Sequence, residues 1–404
     1  MNQAGNEAVG YWRHALGRRQ FLKLVGIGSA AMASASLLSS CAPSSGDSES
    51  SLRTLKVGLT PFQDFYVVLI GIEKGYWAEE GIKLDIVNLS YESVTESLAS
   101  GSVEIGTNND AFVLGGQDKY PEQVQSNIFF LFQGGAIMVR PDGPFTTYDQ
   151  AIAAGATPEE ARRDVCAQLR DKTILLTTNS DFELTVAAAA QSGGLDYFND
   201  VKFIDGNPDE NLAAFMGGAG DGYIGGLPQR TRLVEEGMVP LITAENLSSE
   251  ATIQGGWSAS EKLIAEEPEV FMSFQRVIYR CLQFIEENPE EGFQIIIDKL
   301  SSETGANYTH EDLESVWNKV ELFPASGEQM EAMVFDESSQ FYWRPRYEFV
   351  EKFYLERGVV SGPVDLDRIF PFQWIHAQYM AKYESDAWES MGAQHASGDL
   401  VESR

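Results

Sequence analysis

Residues 55–84 read LKVGLTPFQDFYVVLIGIEKGYWAEEGIKL, and the order of signals within them decides the fold. Leu55 to Leu59 is a short apolar run that reads as a buried strand, stopped by Thr60-Pro61. Phe62 to Tyr66 then brings aromatics and one carboxylate into a loop, and Val67 to Ile72 reads as a helix too apolar to be exposed. Gly75 suits the left-handed position that closes such a helix, and Tyr76-Trp77 is expected to fold back as a hydrophobic lock. After a second turn at Gly81, Lys83 to Leu89 starts a strand with Leu84 and Ile86 on one face. The sum is a strand-helix-strand unit whose ligand-facing corner lies at the carboxyl end of the first strand.

Downstream, Leu98-Ala99-Ser100-Gly101-Ser102-Val103-Glu104-Ile105-Gly106 reads as a helix end, a glycine and a strand, and the run Ala213 to Asp221 echoes it. The apolar helix followed by Glu73-Lys74-Gly75-Tyr76-Trp77 and Gly81-Ile82, together with the 98–106 segment, resembles the opening of the ABC-importer substrate-binding proteins. The branch is the one that handles nitrate, sulfonates, taurine and thiamine-pyrimidine precursors, and the resemblance spans roughly Leu55 to Leu300. It implies an α/β protein of the periplasmic-binding-protein fold: two Rossmann-like lobes, a two-strand hinge, and a helical C-terminal extension to which Gly362-Pro363-Val364-Asp365 is similar. It also implies a small-molecule ligand, a membrane permease and its ATPase subunits as partners, and capture without bond chemistry.

The 404 residues carry 60 acidic against 29 basic side chains, a formal charge of −31. Such a surface repels nucleic acid, and no basic patch opposes it. The N-terminus reads as an address. Arg18-Arg19-Gln20-Phe21-Leu22-Lys23 resembles a Tat export signal, although Gly17 stands where Ser or Thr is commoner. Leu24 to Leu38 is apolar but too short and too rich in Ala and Ser for a membrane span. Leu38-Ser39-Ser40-Cys41 looks like a lipobox, which makes Cys41 the expected lipidated residue and places the protein on the outer face of the cytoplasmic membrane. Cys166 and Cys281 either form a disulfide or stand as two buried thiols. The four histidines are far apart, no Cys/His cluster has metal-ligand spacing, no GxxxxGK[ST] loop occurs, and neither a metal nor a cofactor is expected. A monomer is expected.

Along the chain, residues 1–40 are the expected signal and 41–52 a serine-rich tether. Residues 53–140 and 252–385 are the expected first lobe with the C-terminal helices, 141–251 the second lobe with the connection between lobes, and 386–404 a flexible tail. Thr157-Pro158-Glu159-Glu160 is a strong helix start, and Thr309 with Asp312 three residues on is another.

In such a fold the ligand lies where the carboxyl ends of strands and the amino ends of helices face each other. The loops there supply Phe62, Asp64 and Phe65; Asn108, Asn109 and Asp110; Thr178, Asn179 and Asp181; Asp221, Tyr223 and Arg230; and Trp257. Carboxylates with aromatics suit a pyrimidine-like heterocycle or an amine, by charge-assisted hydrogen bonding and stacking. Each residue also has a plainer reading: Asp110 and Asp181 as helix caps, Asp221 as structural, Phe62 and Phe65 as lobe packing, Arg230 in a surface ion pair. A sulfonate, taurine or nitrate ligand is the alternative. So are a pyrimidine-precursor synthase on the same scaffold, for which no reactive constellation is found, and a sensor subunit.

Overall fold

The computed structural model describes residues 52–384, apart from 248, 306 and 307. Arg18, Arg19, Cys41, the tether and the expected tail from 386 lie outside the described residues. The strands are β1 (Arg53–Leu59), β2 (Ile82–Asn88), β3 (Ile105–Asn109), β4 (Gln123–Phe132), β5 (Ala136–Val139), β6 (Thr173–Leu176), β7 (Lys202–Asp205), β8 (Gly222–Tyr223), β9 (Val239–Thr243), β10 (Ile253–Ser260) and β11 (Glu321–Leu322). They form two sheets, β11-β4-β10-β3-β1-β2 and β7-β6-β8-β5-β9, within one unit of the chain.

The opening stretch folds as its residues require. β1 pairs in parallel with both β2 and β3, so its apolar run is sandwiched on both sides. The helix Val67–Glu73 buries Val67 through Gly71, and Gly75 follows at φ 76°. Trp77 turns back onto that helix, its indole Nε1 donating to the Val68 carbonyl at 3.0 Å and its ring lying 4.6 Å from Phe274. Only glycine fits at 71, where a Cβ would stand 2.6 Å from the Trp77 indole nitrogen and 2.7 Å from Val277. Phe274 belongs to the helix Pro268–Glu287, which buries Phe271, Phe274, Val277, Ile278 and Cys281 at the expected spacing.

In the second sheet β6, β7 and β8 run parallel, and β5 is antiparallel to β8 and β9. The chain crosses between sheets twice, at Gln133–Gly135 and between Thr243 and Ile253. One boundary therefore needs correction. β5 lies in the second sheet, so the first crossing precedes residue 136 instead of following 140. The helices Tyr148–Ala153 and Pro158–Ala167 pack on β9, in the second lobe. Their starts are as read: Thr157 and Thr309 both head full capping boxes, with Glu160 and Asp312.

The C-terminal helix Trp343–Arg357 is the other correction, because it belongs to both lobes. Its first half packs on the first lobe, where Tyr347 lies 4.2 Å from Phe370 and its hydroxyl donates to Gln125 at 3.1 Å. Its second half packs on the other, where Phe353 stacks on Phe198 at 5.2 Å and meets Tyr197 at 5.4 Å. Gly358, at φ 73°, ends it. Cys166 and Cys281 are free buried thiols, one in each lobe. Burial pushes the Cys166 thiol up to about 12 and the Cys281 thiol higher still.

Candidate functional site

The carboxyl ends of β1, β3 and β4 share one edge of the first sheet with the amino end of β10. The carboxyl ends of β6, β7, β8 and β9 share one edge of the second. Both crossings join these two edges, so the edges face a common cleft. Two buried acid groups meet along it.

Asp110 and Asp181 each open a helix, Asp110–Gly115 and Asp181–Ser192, from different lobes. Neither is the cap: Asn109 accepts from Phe112 N and Ser180 from Phe182 N. Both aspartates are instead bound by Arg346 of the C-terminal helix. Its Nε donates to Asp110 Oδ2 at 2.5 Å, one terminal nitrogen to Asp181 Oδ1 at 2.8 Å, and the other to the Glu250 carbonyl of the returning crossing at 2.7 Å. Asn109 Nδ2 adds a bond to Asp181 Oδ2 at 3.2 Å. Arg346 is wholly buried. Burial works against its charge, and the two carboxylates override that and hold it protonated. Asp181 still sits high, at about 6, because burial outweighs the arginine.

Asp64 and Glu321 form the second group. The loop after β1 carries Asp64 across the sheet edge to β11, where Gln63 donates to Glu321 Oε1 and Phe65 N donates to Asp64 Oδ1 at 2.7 Å. β11 is fixed there by its pairing with the end of β4, Glu321 opposite Phe132, and by Gln133 N donating to the Val320 carbonyl at 2.6 Å. Asp64 is 7% exposed and Glu321 0%. Burial pushes Asp64 up to about 7. Burial, then the neighbouring Asp64 charge, pushes Glu321 well above its usual range. Two carboxyls so placed cannot both ionise readily. Among the described residues Glu321 Oε2 has no hydrogen-bond partner.

Residues 63–124 match the family model described as NMT1/THI5 like. No curated protein matches the sequence. Among solved structures, a periplasmic sulfonate-binding protein SsuA from Methylobacillus flagellatus KT aligns over 83% of this chain and 96% of its own, with TM-score 0.60 and 16% identity. The periplasmic aliphatic sulphonate binding protein SsuA from Escherichia coli aligns over 78% and 91%, with TM-score 0.57 and 14% identity. The alkanesulfonate-binding protein SsuA from Xanthomonas axonopodis pv. citri, bound to MOPS, aligns over 78% and 97%, with TM-score 0.51 and 14% identity. The chain has the periplasmic binding protein fold. These matches agree with the resemblance carried by Glu73–Trp77.

Within that periplasmic binding protein fold, the expected site residues separate. Phe62, 43% exposed, and Asp64 lie on the first-lobe edge. Asn108 is buried beside Asn109, and its Nδ2 has no partner among the described residues. Thr178 N donates to Asp205 Oδ1 at 2.9 Å, and Asn179 turns the loop at φ 53° while its N donates to Glu183 Oε2 at 2.6 Å. Arg230 donates to the Gly134 carbonyl of the crossing at 3.1 Å rather than to a carboxylate. Four placements correct the expectation of ligand contact. Phe65 and Trp257 are core rings 6.3 Å apart, with Trp257 stacked on Phe129 at 5.8 Å. Tyr223 is buried against Phe215, its hydroxyl donating to the Pro208 carbonyl at 3.0 Å. Asp221 lies at the opposite, amino end of β8, accepting from Thr173 N at 2.8 Å. Arg346 and Glu321, absent from the expected site residues, lie beyond the span that resembles the family. Local pattern offers no signal for Arg346; a glutamate on a short edge strand, Glu321, is a faint one.

Proposed function

We propose that this chain is the solute-binding component of an ABC importer, exported and anchored through a lipidated Cys41. It captures a small organic molecule in the cleft by closure of the lobes and hands it to a membrane permease. The observation that carries this reading is the pair of facing strand-end edges joined by two crossings, a geometry that can open and shut about a ligand. Among the described residues no helix is long and apolar enough to cross a membrane; the attachment we propose is the lipid on Cys41.

The ligand we favour carries a basic or amino-substituted nitrogen, as a pyrimidine-like heterocycle or an amine does. Of the cleft groups described, Arg346 is neutralised by Asp110 and Asp181, whereas Arg230 donates from one nitrogen to the Gly134 carbonyl and keeps its charge. On the first-lobe edge an anionic ligand would meet the buried Asp64 and Glu321 carboxyls with no guanidinium beside them among the described residues, a cost of several kcal/mol. The second reading is a sulfonate ligand, which the sulfonate-binding structural neighbours favour.

Thermal unfolding of the protein against a library of amines, amino-heterocycles, amino acids, sugars and sulfonates tests the role. A true ligand at a thousandfold excess over its Kd adds about 4 kcal/mol and moves Tm by several degrees. A library in which no solute moves Tm would overturn the binding role itself. Cys41→Ser should release the protein from the membrane fraction; retention there would exclude the lipid anchor.

A further inference from the structure

The helix Trp343–Arg357 is a third connection between the lobes, beside the two crossings, and the lobes grip it unequally. The first lobe holds it along its length. Trp343 meets Phe372 at 5.1 Å, Tyr347 meets Phe370 and Gln125, and an added Cβ at Gly115 would stand 3.3 Å from the Tyr354 ring. Just beyond the helix, Ser361 N donates to Asp118 Oδ2 at 2.9 Å. The second lobe holds it through side chains. Phe353 rests on Tyr197 and Phe198, and two arginines about three turns apart reach the first turn of the helix Asp181–Ser192. Arg346 takes Asp181, while Arg357 lies 3.2 Å from Glu183 Oε1 with its guanidinium over the Phe203 ring.

Asp181 makes both of its side-chain bonds across the lobe boundary, Oδ1 with Arg346 and Oδ2 with Asn109 of the first lobe. Asp110 and Arg346 have wholly buried side chains, whereas that of Asp181 is 13% exposed. When the lobes part, Arg346 therefore keeps Asp110 and the Glu250 carbonyl, and Asp181 gains water. No buried guanidinium is stranded, so this ion-pair network can open without the penalty that usually locks a buried pair. We infer that the helix Trp343–Arg357 is a latch on the cleft, travelling with the first lobe and holding the second through Asp181 and Glu183. The inference rests on the solute-binding role proposed above and adds its control: a solute enters when those two contacts part, and their strength sets how often the lobes are open.

Electron-spin distance measurements on the full chain, with no solute added, test the latch. Spin labels at Glu96→Cys and Glu210→Cys, exposed helix positions on the first and second lobes, report the separation in a Cys41→Ser background whose other two thiols are buried. The parent should give one narrow distance distribution. Asp181→Ala should add a longer-distance population, and so should Arg357→Gln, which leaves Glu183 its bond from Tyr197. Asp221→Ala is the control: it removes the Thr173 bond at the far end of the second sheet, so it should lower stability and leave the distance unchanged. Distributions unchanged in both latch variants would overturn the inference and leave Arg346 a stabiliser of the fold. A parent as broad as Asp181→Ala, or an equal lengthening in Asp221→Ala, would overturn it as well. Should Asp181→Ala fail to fold, Arg357→Gln decides alone. Because no solute is present, failure here leaves the binding role to the thermal library.

Discussion

Asp110 and Asp181 come from different lobes and share one guanidinium, whereas Asp64 and Glu321 come from one lobe and share no cation among the described residues. The physical problem is the same in both places, since a buried carboxylate must be neutralised. The first pair is neutralised by a covalently tethered base, and the groups it joins are the two lobes and the returning crossing. The second has no such base among the described residues, and burial raises both of its carboxyls. The difference teaches that acidity along the cleft is not one property. Arg346 turns the first pair into structure, and the second has no such residue beside it among the described ones.

The sharpest way to break this contrast is to remove the tethered base. Arg346→Ala leaves two buried carboxylates unpaired, and chemical denaturation should show a loss of about 3–5 kcal/mol. Adding Asp110→Asn and Asp181→Asn to that variant should recover part of it. A loss under about 1 kcal/mol would show that the arginine is not what holds the pair.

Next in size is the dependence on pH. In the folded chain burial raises Asp64 to about 7 and Asp181 to about 6 from an ordinary 3.8. The folded state therefore holds more protons than the unfolded state between about pH 4 and 7. The stability these two groups contribute is complete below pH 4 and is lost as pH rises through their folded values. Denaturation midpoints of ligand-free protein should fall over that window. Asp64→Asn, whose amide can donate to Glu321, should flatten the fall and leave the variant about 1–3 kcal/mol more stable than the parent at pH 8. An unchanged slope would mean that Asp64 is not carrying the proton.

The smallest effect separates recognition from packing. Phe62 is exposed on the cleft edge while Trp257 is buried in the first-lobe core. Phe62→Ala should leave stability within about 0.5 kcal/mol and weaken binding of whichever solute the thermal library identifies. Trp257→Ala should instead unfold the lobe more readily, and equal stability losses in the two variants would erase the distinction.

Most of the frame was legible because its signals are local. The strand ending at Thr60, the αL turn at Gly75, the proline-led capping box at Thr157 and the apolar spacing of Phe271 to Cys281 each depend on residues within a few positions of one another. The site was legible only in part. Asp64 stood in a loop whose place the strand-helix-strand pattern implies, but Asp110 and Asp181 read as caps because a residue before a helical run usually is one. Their neighbours Asn109 and Ser180 took that role instead. Trp257 and Tyr223 read as cleft residues because glycines flank them, and packing against Phe129 and Phe215 made them core.

By itself, then, the sequence determined the alternation of strands and helices, through short-range periodicity and backbone preference, while the two-lobed fold and the loops that reach its cleft were what the family resemblance implied. Only the tertiary structure decided which charges meet. Arg346 lies 236 positions from Asp110 and 165 from Asp181, and Glu321 lies 258 from Gln63. No periodicity spans such separations. The meeting depends on where the C-terminal helix and the β11 edge dock, and that is settled by the packing of apolar faces, which carry no mark of the charged side chains they bring along.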